Sequence, residues 1–219
     1  MIKKTTLFLI LLLALLPRYG IAETKLWNLP LELSATDTKV TFEVDTTWHT
    51  VHGIIKQPTG KAWLENPEDF RSVKLRVLFP LSSYDTDSES RDSTMRESMD
   101  SDKFPESSFV LNDVGNICDP KTMQTGVPCT FEASGNLTIR DITKVVRISS
   151  SATRNADLSY SISGETSILW TDFGVKDPSI FIAKVQPLVK IDFKLNLPAT
   201  QATSPEVKNK ESNDLSSQH

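Results

Sequence analysis

The chain of 219 residues is poor in the residue types that carry most chemistry, with three histidines, two cysteines and eight glycines. It contains no phosphate-binding P-loop, no dinucleotide fingerprint, no G-x-S-x-G elbow and no H-E-x-x-H pair. Nucleotide-dependent, serine-hydrolase and zinc-protease chemistry therefore have no support, and the expectation is a protein that is not an enzyme and needs no cofactor. Basic clusters are also missing. Lys and Arg number 24 against 28 Asp and Glu, for a formal charge of −4. Neutralising phosphates takes clustered cations, so this balance excludes nucleic acid as a partner and argues against docking on anionic lipid heads.

Long apolar runs are absent apart from "LFLILLLALL" (Leu7 to Leu16), which follows Lys3 and Lys4. A membrane span needs about 20 apolar residues, and this run is shorter. Gly20 and Ala22 are small residues placed as a signal peptidase requires. Residues 1–22 are expected to be a signal peptide, leaving a periplasmic or secreted protein with no stable membrane insertion. No cysteine follows the apolar core to carry a lipid anchor. Cleavage would remove three cations and no acid, moving the formal charge from −4 to −7. Residues 23–198 suit one domain, and the polar stretch 199–219 reads as a disordered tail. The sequence leaves the oligomeric state open, a homodimer included.

The two cysteines, Cys118 and Cys129, flank "CDPKTMQTGVPC", a stretch rich in turn formers. The spacing is neither C-x-x-C nor a zinc pattern, so a structural disulfide in an exported chain is the expected state.

Most of the remaining sequence alternates. "KVTFEVD" puts Val40, Phe42 and Val44 on one face, and "SVKLRVLF" does the same with Val73, Leu75, Val77 and Phe79. "CTFEASGNLTIR" offers Phe131, Ala133, Gly135, Leu137 and Ile139. "VVRISS" offers Val146 and Ile148, and "LSYSISG" offers Leu158, Tyr160, Ile162 and Gly164. "LVKIDFKLN" closes with Val189, Ile191, Phe193 and Leu195. Period-two patterning with one wet face predicts antiparallel strands, about eight of them, in an all-β sandwich or closed barrel.

One stretch breaks the alternation. In "ESRDSTMRESMDSDKFPESSF" (Glu89 to Phe109), Arg91, Met95 and Met99 fall on a single helical stripe. Asp87 or Ser88 can cap its start, and Pro105 forbids its continuation. This predicts a short helix with a narrow apolar edge, either a solvated crossover or a cover over one barrel end.

The same stretch resembles the R-D-x-x-(L/M) … (Y/F)-P-x-x-x-F signature of YceI-like exported proteins. "GKAWLENPEDFRSVKLRV", "GNLTIRDITKVVRI" and "TDFGV" are similar to other segments of that family and occur in the same order. Asp141 stands where the family usually has glycine, and the 118–129 interval reads as an insertion. The resemblance implies an eight-stranded, lipocalin-like antiparallel barrel with one helix crossing an end. It further implies an apolar tunnel for a polyisoprenoid or similar amphiphile. On that implication the ligand-lining residues are Phe42, Val44, Leu75, Val77, Leu137, Ile139, Ile162 and Phe193, with Met95 and Met99 at the mouth. The competing expectation is a barrel filled by its own side chains that acts as an interaction or stress-related scaffold.

Two further stretches carry weaker signals. In "TTWHTVHG" the apolar parity flips between Asp45 and Val51, which predicts a bulge or bend. In one continuous strand His49 and His52 would point to opposite faces and could not share a metal, and Trp48 suits a wet–dry rim. "YDTDSES" spaces its acids like a calcium loop but lacks the glycine and the downstream glutamate, so it reads as a solvated turn.

Overall fold

The computed structural model describes residues 29–66, 69–180 and 182–198. The segments read as signal peptide and polar tail lie outside them. Among the described residues there are eleven strands: β1 (Leu31–Leu33), β2 (Thr38–Thr46), β3 (Thr50–Ile55), β4 (Thr59–Leu64), β5 (Val73–Pro80), β6 (Tyr84–Asp85), β7 (Glu106–Asp113), β8 (Pro128–Ile139), β9 (Ile142–Arg154), β10 (Tyr160–Leu169) and β11 (Val185–Leu197). One α-helix, α1 (Glu89–Ser98), interrupts them. All ladders are antiparallel, in the order β1-β4-β5-β7-β8-β9-β10-β11-β2-β3-β6, and the sheet curls into a half-barrel.

Eleven strands replace the expected eight because β1 and β6, three and two residues long, are too short to show a period. β3 is a separate strand as well. The parity flip after Asp45 is a hairpin, with Val44 opposite Val51 and a turn closed by Thr46 N–H donating to the His49 carbonyl at 3.0 Å. Leu158 also departs from expectation. It sits in the β9–β10 turn with φ 67° and is half exposed, while the strand begins at Tyr160.

Register stacks the inward side chains in rows. Thr38, Leu195, Ile162, Ala152 and Cys129 form one row, and Val40, Phe193, Gly164, Ser150 and Phe131 form the next. Outward positions between them, such as Lys190, Asp192 and Lys194, are exposed, which is the pleat alternation expected of a one-sided sheet.

Three phenylalanines lie flat across glycines of the inner wall. A Cβ on Gly53 would stand 2.2 Å from Phe42 Cζ, one on Gly164 2.4 Å from Phe193 Cε1, and one on Gly135 2.3 Å from Phe109 Cζ. Any larger residue would push the ring off the wall and into the interior. The missing side chains therefore let bulky rings pack sideways and leave space in the middle.

One end of the interior is plugged. Cys118 and Cys129 form the expected disulfide, with Cα atoms 6.1 Å apart. The loop they close drives Met123 into a cluster with Leu33, Tyr160, Leu195 and Leu197, and Pro120 is fully buried.

Candidate functional site

Between the walls lies a cavity of about 390 Å³ with an almost wholly apolar lining. That volume is in the range of small-molecule sites. All ten residues expected to face a ligand line it: Phe42, Val44, Leu75, Val77, Met95, Met99, Leu137, Ile139, Ile162 and Phe193. Each strand residue is there for the same reason, its parity. Met95 and Met99 arrive by a different route, since the i, i+4 spacing puts both on the underside of α1. Met99 joins the core around Ile139, Ile168 and Phe173, while Met95 reaches Val40, Phe42 and Ile55.

The helix is secured at its start by a buried carboxylate. Ser88 occupies the N-cap, one of the two expected positions, but its side chain makes no capping bond. Instead Asp92, 5% exposed, accepts hydrogen bonds from Thr86 N–H (3.0 Å) and Thr86 Oγ1 (2.5 Å). Arg91 Nε donates to Thr86 Oγ1 at 2.8 Å, and its Nη2 donates to the Thr86 carbonyl. The Arg91-Asp92 pair is thus a clasp between the helix and the turn before it.

A second clasp holds the other end of α1. Lys176 N–H donates to the Ser98 carbonyl at 3.0 Å. In the two-residue β8–β9 turn the left-handed position falls on Arg140 (φ 56°) rather than on Asp141. A non-glycine residue is uncommon there, and its neighbours explain its retention. The Arg140 guanidinium donates to the Gly174 carbonyl, pairs with Asp100 at 3.5 Å and lies 5.5 Å from the Phe104 ring centre.

Polar groups inside the cavity are few. Tyr84 OH and Ser107 Oγ lie 2.7 Å apart. Burial pushes the Tyr84 phenol up to about 12, partly offset by that hydrogen bond, so it stays a neutral donor at ordinary pH. Thr38 Oγ1 is buried at the plugged end with no hydrogen-bond partner. A ligand's terminal polar atom could satisfy it.

Among the described residues, His49 and His52 do not come together at a site. His49 is an exposed turn residue, and His52 points outward, where Nδ1 meets Glu43 Oε1 at 3.0 Å. Among the described residues no group of three or more His, Cys, Asp or Glu is placed to hold a metal. In the stretch Tyr84 to Ser90, Asp85 pairs with Lys56. Trp48 stands on the rim and is 70% exposed.

Sequence reasoning missed part of the wall. Phe79, Phe109 and Phe131 line the cavity, and the alternation of their strands could have nominated all three. Trp170 and Pro178 also line it from the β10–β11 connection, a segment with no period to read, and Val185 lines it from the start of β11.

Comparison with known proteins agrees with this fold. No curated protein matches the sequence. Among solved structures, Burkholderia cenocepacia BcnA superposes with a TM-score of 0.61 at 16% identity, covering 74% of this chain and 97% of its own. A polyisoprenoid-binding domain from Saccharophagus degradans, implicated in plant cell wall breakdown, gives 0.61 at 12%, covering 77% and 97%. The Campylobacter jejuni YceI protein gives 0.52 at 18%, covering 69% and 86%. The YceI-like domain family matches residues 31–197, most of the chain, and the chain belongs to that family.

Proposed function

We propose that this is an exported, periplasmic binding protein that sequesters or carries an amphiphile, a polyisoprenoid or a similar lipid-like chain, without catalysing a reaction on it. The observation that carries this reading is the apolar cavity of about 390 Å³ inside a wall built to stay open. A barrel packed solid by its own side chains, the scaffold reading, would not lay its phenylalanines over glycines. The polyisoprenoid-binding domain sharing the fold supports the same ligand class, and the disulfide agrees with an oxidising compartment. Binding would come from apolar burial, about 0.8 kcal/mol per methylene, with polar selectivity from sparse groups that include Thr38, Tyr84 and Ser107.

Organic extraction and mass spectrometry of protein purified from its native compartment should release a long-chain amphiphile. Titration with alcohols of increasing length should tighten binding about fourfold per methylene until the cavity is full. Gly164→Ala, which turns the Phe193 ring inward, should shorten the longest chain accepted. A protein that is empty on isolation and indifferent to added chains would end this reading.

A further inference from the structure

Six of the nine large apolar side chains exposed among the described residues lie toward one end of the half-barrel. Trp48, Ile180 and Ile182 are 70, 58 and 67% exposed, on the β2–β3 turn and the β10–β11 connection. Val145, Leu169 and Leu188 are exposed on the outer face beside them, and Leu169 pairs directly with Leu188. The two rim segments form one platform. Trp48 Nε1 donates to the Ile182 carbonyl at 3.0 Å, Thr47 N–H donates to the Lys184 carbonyl at 2.9 Å, and Lys184 N–H donates to Thr47 Oγ1 at 3.0 Å.

The platform adjoins the cavity. Thr46, Trp170 and Pro178 line the interior, and Trp48, Leu169 and Ile180 follow or precede them within two residues. The far end is filled by Met123 and its loop, so the rim is where a chain can enter. Charge distinguishes this region as well. The outer groove beside the platform holds Lys144, Arg147 and Lys190 against Glu165, Asp172 and Asp192, a balance of three to three in an acidic chain.

We propose that this rim docks on the interfacial layer of a lipid bilayer, so that an amphiphile moves between bilayer and cavity without crossing water. An indole with a wet and a dry edge suits that layer, aliphatic tips sink below it, and flanking lysines extend to the head groups. A groove with no net charge meets zwitterionic heads without the repulsion an acidic surface would impose on an anionic bilayer. A second copy of the chain is the poorer occupant. The apolar tips crown a hairpin and a tight turn, convex features that sink into a fluid layer more readily than they mate with a rigid face. The purpose assigned to docking rests on the amphiphile-binding reading, whereas the docking itself is measurable without it.

The test is flotation of the protein, purified after export, with phosphatidylcholine vesicles, alongside tryptophan quenching by bromine-labelled acyl chains. The wild type should float and be quenched. Trp48→Ser and Ile182→Ser should each lower partitioning by about tenfold, while Leu158→Ser on the β9–β10 turn should leave it unchanged. Circular dichroism checks the fold, and Ile180→Ser replaces either variant that fails to fold. A wild type that does not float would overturn the proposal, as would equal losses from Leu158→Ser. Self-association in sedimentation equilibrium that the same rim substitutions abolish would assign the surface to a second copy instead. Flotation without uptake of any added amphiphile would refute the cavity reading and leave docking intact, and uptake without flotation would do the reverse.

Discussion

At one end of the half-barrel a disulfide-closed loop sinks Met123 among Leu33, Tyr160, Leu195 and Leu197. At the other, a ten-residue helix lies over the cavity, and the ties at its two ends are polar: Thr86 with Asp92 and Arg91, and Arg140 with Asp100 and Gly174. Only the polar-tied end can open. Apolar packing behind a covalent staple has no low-energy intermediate, because lifting the loop exposes Met123 and Pro120 together. A helix tied at its two ends can release one end while its methionines stay over the cavity. Local opening of this kind draws on few buried contacts, which is where ligand-admitting motions are expected.

Removing the staple should give the largest effect. Replacing Cys118 and Cys129 together by serine frees a loop whose ends are 11 residues apart, which the chain-entropy account values at about 3 kcal/mol. Thermal melting should fall accordingly. Hydrogen exchange should accelerate in 118–129 and in the facing segments of β1 and β11, with α1 little changed. If α1 is the segment that loosens, the two ends are coupled and the contrast between them is lost.

Asp92→Ala attacks the opposite end. It leaves Thr86 N–H, in a residue only 4% exposed, without its acceptor, a loss of about 2 kcal/mol. The functional consequence should exceed the thermodynamic one. Both association and dissociation of a bound chain should accelerate, because the lid detaches while the wall that supplies the affinity is intact. Stopped-flow exchange of a fluorescent fatty acid would read this directly. Slower exchange, or a large drop in affinity at unchanged rates, would mean that chains do not pass beneath the helix.

The contrast between the ends also explains what could be read from the sequence. The walls were legible because burial on one side of a strand imposes a local period, and Phe42, Val77, Ile139 and Phe193 each follow it. The helix stripe through Met95 and Met99 was legible for the same reason at a period of 3.6. Long-range partnership leaves no period. Met123 looked like a turn residue, Asp92 carried a family signature but no sign of what it would bond to, and the connection after Trp170 showed the TDFGV motif but no period. The β2–β3 hairpin was read as a bend because its tight turn carries neither glycine nor proline, and β1 and β6 were too short to register.

Acid should distinguish the two ends more gently. Asp157, in the β9–β10 turn, and Asp177, in the rim segment, are both held below the ordinary carboxylate value, first by a side-chain hydrogen bond from Ser159 or Ser179 and then by that serine's backbone N–H. A carboxylate lowered in the folded state contributes stability above its unfolded value, near 4, and loses that contribution as the pH falls through the folded value. Both turns should therefore loosen below about pH 4. At the rim the consequence reaches the platform, because Ser179 Oγ also accepts a hydrogen bond from Val185 N–H at 2.9 Å, where β11 begins. Acidification should expose Trp48 further by freeing the segment whose Ile182 carbonyl it holds, a red shift in emission that Asp177→Asn would produce in part at neutral pH. Asp157→Asn should leave that emission unchanged. A matching shift from Asp157→Asn would show that acid loosens the whole barrel and not the rim.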